Sequence, residues 1–251
     1  MKIRIHGASV VGPSHVKNCT PCQDAFAYKI IPPCNAVIAV ADGLGSAGKS
    51  DIGAQLAVDT AVESGARLFV ENLFNDIDLP AIAKKSVAQA RKALENKCSE
   101  IQCSLRDLAC TLASVVIASD TMAVAHIGDG AVILRDEKGL SIASGPAESE
   151  YTNEVTPLTD NKWESFLRAS PLFADVRDVI VISDGCQRAA LKKTPQGIHP
   201  FEAFCLPLME YFRKVDCHEK GIEDIMRILS SSKLCENCDD DKTLVVINIE
   251  Q

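Results

Sequence analysis

Apolar positions recur along this chain in two rhythms: short runs rich in Val and Ile, and longer stretches with apolar residues at helical spacing. Residues 3–11, 25–31 and 37–41 belong to the first kind and are predicted strands. A long helical stretch follows, with Ile52, Leu56, Ala57, Ala61, Leu68 and Phe69 at helical spacing and Ser50 or Asp51 available as a cap. A second helix is predicted over residues 80–97, where Ile82, Val87, Ala90 and Leu94 share one face. A short linker, Asn75-Asp76-Ile77-Asp78, joins the two, so the pair can cover one face of a sheet.

The middle of the chain changes period. Residues 112–118, 122–127, 131–135 and 140–144 are short apolar runs separated by Ser119-Asp120, Gly128-Asp129-Gly130 and residues 136–139. Connections this short exclude helical crossovers and predict a meander of antiparallel hairpins. Residues 145–175 are polar and irregular, the pattern of a loop region over a site. A strand is predicted over 179–183, helices over 201–215 and 220–230, and a closing strand over 244–249. No repeat or linker divides the sequence, so residues 1–251 are expected to form a single α/β domain.

Aspartates stand at the ends of these runs: Gln23-Asp24, Asp42-Gly43 after residues 36–41, Gly128-Asp129-Gly130, Ser183-Asp184-Gly185 after residues 179–182, and Asp239-Asp240-Asp241-Lys242-Thr243 before the last strand. Any one of them is ordinary turn chemistry. As an ordered set they point to one cleft, because a carboxylate at a strand end beside a Gly can reach a shared site. Several carboxylates without His or Cys make a hard-oxygen site suited to Mg²⁺ or Mn²⁺.

Composition narrows the partners. With 251 residues, 47% hydrophobic and 24% charged, the chain can bury a sizeable core, and its net charge of −8 leaves no basic footprint for nucleic acid. A phosphate ligand would need metal to offset the protein's own carboxylates. No apolar run reaches membrane-spanning length and no signal-peptide core opens the sequence. With 11 cysteines and no export signal, reduced thiols in the cytoplasm are expected. Cys19-Thr20-Pro21-Cys22 and Cys235-Glu236-Asn237-Cys238 lie just before Asp24 and Asp240, where four thiols could hold zinc or form a redox switch. The blander reading, that they merely fill loops and core, is preferred.

Gly43-Leu44-Gly45-Ser46-Ala47-Gly48-Lys49-Ser50 matches the phosphate-loop pattern of nucleotide hydrolases, between a strand and a helix, and Asp184 could be the partner aspartate that holds Mg²⁺. That fold needs a mainly parallel sheet. The hairpins of residues 112–144 do not fit it, and the reading leaves Asp24, Asp129 and Asp240 without a task.

Taken in order, Gln23-Asp24, Ala41-Asp42-Gly43-Leu44-Gly45, Gly128-Asp129, Ser183-Asp184-Gly185 and Asp240-Asp241-Lys242-Thr243 resemble the PPM family, the metal-dependent protein phosphatases of type 2C, across essentially the whole chain. Tyr151-Thr152-Asn153-Glu154-Val155 is similar to a segment of bacterial members. The resemblance implies a four-layer α/β/β/α sandwich, two central antiparallel sheets flanked by helix pairs. It implies hydrolysis of phosphoserine and phosphothreonine in proteins, with two Mg²⁺ or Mn²⁺ ions. Asp42 would bridge the ions and the Gly43 carbonyl would bind one; Asp184 and Asp240 would complete the other, Asp24 would act through water, and Asp129 would help hold a third, weaker ion. The substrate would be a phosphorylated protein, with neither nucleic acid nor membrane as partner and the enzyme a monomer.

The sequence departs from the family in places. Cys19 stands where members commonly carry a phosphate-gripping Arg, and His15 and Lys17 are the nearest replacements; His15 is the side chain suited to bind phosphate or protonate the leaving oxygen. Gly130-Ala131 replaces a Ser-Arg pair after Asp129, and Leu44 fills a place where some relatives have His. The competing readings are the nucleotide hydrolase and a scaffold that binds a phosphoprotein without turnover.

Overall fold

The computed structural model of the protein describes residues 2–73, 77–146, 155–236 and 238–250. Asn75 and Asp76 of the interhelix linker, and Tyr151-Thr152-Asn153-Glu154, lie outside them. The chain begins with β1 (Lys2–Val10), the short helix α1 (Pro13–Asn18), β2 (Asp24–Ile31) and β3 (Asn35–Asp42). Helices α2 (Ser50–Glu71) and α3 (Leu79–Glu100) follow, then β4 (Leu112–Ala118), β5 (Thr121–Ile127), β6 (Ala131–Asp136) and β7 (Gly139–Ser144). Beyond these come α4 (Trp163–Phe166), β8 (Arg168–Ala169), β9 (Asp178–Ile182), α5 (Gln187–Ala190), β10 (Leu191–Thr194) and β11 (Gly197–Pro200). The chain closes with α6 (Glu202–Phe212), α7 (His218–Leu229), α8 (Ser232–Cys235) and β12 (Lys242–Glu250).

Two five-stranded sheets, ordered β1-β12-β9-β6-β7 and β2-β3-β4-β5-β8, carry the architecture. The alternation within β3 explains why its run is apolar throughout. Val37, Ala39 and Ala41 face the helix pair, packing with Ala57, Ala61, Val87 and Leu94. Ile38 and Val40 face the other sheet, against Val181, Val245 and Ile247. A strand buried on both faces has no polar side to show. On the far face of the first sheet, Ile180, Ile182 and Val246 pack against Met209 and Phe212 of α6 and Ile225 and Leu229 of α7. These are the expected α/β/β/α layers.

The predicted meander is corrected in one respect. β4 pairs with β5 and β6 with β7, but β5 and β6 belong to different sheets. Gly128-Asp129-Gly130 is therefore not a hairpin turn; it carries the chain from one sheet to the other. Gly128 makes that possible with φ +108°, a conformation closed to most side chains. The expected cap on α2 is also absent: Lys49 is the cap residue and makes no side-chain cap bond. The irregular segment over 145–175 contains α4 and β8, and the β10–β11 hairpin was not foreseen.

Every strand pairing among the described residues is antiparallel, which removes the parallel sheet a phosphate loop requires. Four donors of that loop are also occupied. The N–H groups of Gly43, Leu44, Ala47 and Lys49 donate to the carbonyls of Gln23, Ala109, Leu44 and Asp107 at 2.8–3.0 Å. Those four amides are turned to the protein's own carbonyls and away from an anion.

Candidate metal centre

Asp24 and Asp42 are opposite one another at the end of the β2–β3 ladder. Asp24 is buried among hydroxyls: its Oδ2 accepts hydrogen bonds from Ser183 Oγ (2.6 Å) and Thr243 Oγ1 (2.8 Å). Ser183 Oγ in turn accepts from the Thr243 amide at 2.9 Å. Asp24 is thus tied to the ends of β9 and β12, in the opposite sheet, while its Oδ1 is buried without a partner. Asp42 is fixed through its backbone, its amide donating to Thr111 Oγ1 and its carbonyl accepting from the Thr111 amide.

Strand-end chemistry brings the remaining aspartates to the same place. Asp184 opens a short 3-10 turn (Asp184–Cys186) after β9, and Asp129 sits at the inter-sheet crossing. Asp240 lies just before β12, on a loop packed so closely that a Cβ on Gly185 would stand 1.9 Å from the Asp241 carbonyl oxygen. Asp129, Asp184, Asp239 and Asp240 line a cleft of about 470 Å³ together with Gln187 and Arg188.

Asp24, Asp42, Asp129 and Asp184 are all raised above the ordinary carboxylate range. Burial pushes Asp24 up to about 7, against the Ser183 and Thr243 hydrogen bonds and with help from Asp241 and Asp184. Burial pushes Asp184 up to about 6, helped by Asp129 and Asp240. Asp42 is raised well above the usual carboxylate range, by burial first and then by Asp24, Asp184, Asp129 and Asp240. Asp129 is raised by burial, with Arg168 opposing. Such a set is uncomfortable as protein alone, since like charges crowd an enclosed space with partnerless oxygens on Asp24, Asp129 and Asp184. Hard divalent cations are the chemistry that satisfies oxygen donors of this kind, so the residues fit the ion pair implied by the sequence.

A tighter trio is also present: ligand atoms of His15, Asp240 and Asp241 lie within 4.8 Å of one another. Proximity alone misleads here, because Asp241 is already committed. Its Oδ1 accepts from the Gly12 amide (2.6 Å), and its Oδ2 from the Gln23 amide (2.5 Å) and His15 Nδ1 (2.9 Å). The trio is therefore a hydrogen-bonded brace, and the five strand-end aspartates are the acidic cluster whose oxygens remain to be satisfied. Ligands shared between two ions need not fall within reach of one.

Several supports were not singled out from sequence. Asp241 is buried and is the brace just described. Lys242 is buried, its Nζ donating to the Asp240 carbonyl at 2.7 Å. Arg168 of β8 donates to the Gly128 carbonyl and lies beside His126 Nδ1 at 3.2 Å, placing a cation near Asp129 where the expected Arg is missing. His126 is a core histidine bonded to Ser144 Oγ, and burial with the Arg168 charge lowers it to about 3. The only available signals were Ser and Thr beside the aspartates. Arg168 gave none, lying 39 positions beyond Asp129.

The two Cys-x-x-Cys pairs are not gathered into a metal group. All eleven cysteines are free, and among the described residues none joins a cluster of ligand atoms.

Residues 11–227 match the profile of the protein phosphatase 2C family. The chain belongs to that family. It is 30% identical over 255 residues to serine/threonine-protein phosphatase 3 of Escherichia coli (strain K12), covering 98% of both proteins. Among solved structures, the Mycobacterium tuberculosis serine/threonine phosphatase PstP/Ppp superposes with TM-score 0.68 at 16% identity, over 100% of both chains. Serine/threonine phosphatase Stp1 of Staphylococcus aureus gives 0.66 at 12% identity, over 100% of this chain and 96% of that one. These structures share the fold of this type 2C phosphatase; the aspartate cluster lies at the ends of strands from both of its sheets.

Proposed function

We propose that this protein is a metal-dependent phosphatase that removes phosphate from phosphoserine and phosphothreonine in proteins, residues 1–251 forming one catalytic domain. The observation that carries the reading is the Asp24 carboxylate: one oxygen is held by Ser183 and Thr243 and the other is buried and partnerless, within a cluster of four further aspartates. A scaffold that only bound phosphate would gain nothing from five mutually repelling carboxylates.

In this reading Asp42, the Gly43 carbonyl, Asp184 and Asp240 would hold two divalent ions, and Asp129 would help hold a third. Mg²⁺ and Mn²⁺ both suit these oxygen donors, and when bound they would lower the pKa of water and offset the charge of the phosphoryl oxygens. Asp24 Oδ1, its twin fixed by two hydroxyls, would be free to hold and orient water. His15 donates Nδ1–H to Asp241, which leaves Nε2 to contact the phosphoryl or leaving oxygen. The free thiols support a reducing compartment, the cytoplasm, and no helix among the described residues is long and apolar enough to cross a membrane.

The test is hydrolysis of p-nitrophenyl phosphate and a phosphothreonine peptide with Mg²⁺, Mn²⁺ or EDTA, beside Asp42→Asn and Lys49→Ala. Turnover that needs metal, disappears with Asp42→Asn and persists with Lys49→Ala supports the phosphatase. Folded, metal-loaded protein that turns over neither compound refutes it in favour of the binding scaffold.

A further inference from the structure

The ion cluster can recognise a phosphoryl group but not the protein that carries it, so selectivity must come from surface beside it. The acidic cleft continues into a second cavity, of about 290 Å³, and Arg188 and Cys238 line both. The second cavity starts at Gly185, the residue after Asp184, and runs between α5, α6 and α8. Its character is different. Ala189, Phe201, Ala203, Phe204 and Leu234 give it an apolar wall, with Arg188, Ser231 and Lys233 completing the lining, and Phe201 is 40% exposed despite being a large aromatic. An apolar hollow open to solvent, a residue away from a proposed metal ligand, leaves hydrophobic surface hydrated until something fills it.

We propose that this hollow is a specificity pocket that takes an apolar side chain of the phosphorylated protein segment whose phosphoryl group sits at the aspartates. The proposal rests on the phosphatase reading above and adds to it a substrate class: phosphosites with an aliphatic or aromatic residue nearby. Because the two cavities share lining residues, the reach between them is short. An extended peptide advances about 3.3 Å per residue with side chains alternating in direction, so the pocketed residue lies within about three positions of the phosphoresidue. The carboxylates of Glu236, Asp239 and Asp240 along the first cavity outnumber its single Arg188 and oppose an acidic residue on the same path.

The experiment uses phosphothreonine peptides in which each position within about three of the phosphoresidue is in turn Leu, Gln or Asp. Rates are normalised to p-nitrophenyl phosphate hydrolysis by the same protein. The expected result is a kcat/KM at one position about tenfold or more higher for Leu than for Gln, the scale of discrimination an apolar pocket achieves. Ala203→Glu, on an exposed position that places charge in the hollow, and Phe201→Ala, which removes its wall, should each bring that ratio towards one. Equal rates for Leu and Gln at every position, with only Asp disfavoured, would reduce the effect to rim charge and overturn the pocket. So would a Leu preference that survives both substitutions. Absence of p-nitrophenyl phosphate turnover would instead sink the phosphatase reading beneath it.

Discussion

Asp24 and Ser183 join the two sheets at the aspartate cluster: the Ser183 hydroxyl donates to Asp24 Oδ2 at 2.6 Å, from the end of β9 to the start of β2. The same hydroxyl accepts from the Thr243 amide, so one serine sets the orientation of Asp24 and the spacing of β12. Ser183→Ala should therefore weaken the centre without unfolding the sandwich. Partners of this kind typically contribute about 10- to 100-fold in metal affinity or activity. Activity titrated with Mn²⁺ measures it, and a midpoint and kcat both equal to the parent's would rule the role out.

Removing the metal should invert the usual acid sensitivity of the fold. Asp24 and Asp184 are raised to about 7 and about 6 from an ordinary value of 3.8. Between those limits the metal-free native state keeps protons that the unfolded chain has released, so stability falls as pH rises through the window. In EDTA, the Tm should be higher at about pH 5 than at about pH 7.5, and Mg²⁺ should recover the loss at the higher pH. A metal-free Tm that climbs across this range would show that the aspartates are not held as described.

Much of this was legible in the sequence, for reasons that can be named. Runs such as residues 36–41 were readable as strands because both faces are buried, and the aspartates were readable because each ends such a run. What failed was long-range pairing. The short Gly128-Asp129-Gly130 connection looks like a hairpin locally, and only the packing of β6 against β9 places it between sheets. The Leu191–Thr194 strand and its partner pair as an isolated ribbon with little buried apolar surface, so no period marks them. Arg168 and Asp241 act on residues far away in sequence, or through both oxygens at once, and spacing records neither.

Arg168 supplies a cation whose charge acts on Asp129, and its removal should separate two effects. Arg168→Met leaves the Gly128 carbonyl without that donor, which should cost about 1–3 kcal/mol in the metal-free protein. It also removes a positive charge that competes with a divalent ion near Asp129, so Mn²⁺ should bind that position more tightly. Thermal denaturation in EDTA and a calorimetric Mn²⁺ titration read the two separately. Weaker binding with unchanged stability would contradict the arrangement.

Asp241 holds three donors from two segments: the Gly12 and Gln23 amides and His15 Nδ1. Asp241→Ala strands all three, two of them main-chain groups that water cannot easily reach, at about 1–3 kcal/mol for each buried donor left unpaired. A total loss of about 3–5 kcal/mol is expected, at the severe end for a single substitution. Asp241→Asn should fall between parent and Ala, because its amide keeps one accepting oxygen but cannot accept at the other position. His15→Ala removes only one of the three donors and leaves the carboxylate bonded to both amides, so it should cost far less stability than Asp241→Ala while lowering activity. Chemical denaturation of the three variants, followed by phosphatase assays under conditions where each is folded, separates brace from chemistry. Equal destabilisation by His15→Ala and Asp241→Ala would mean that the histidine, and not the backbone amides, is what Asp241 is there to hold.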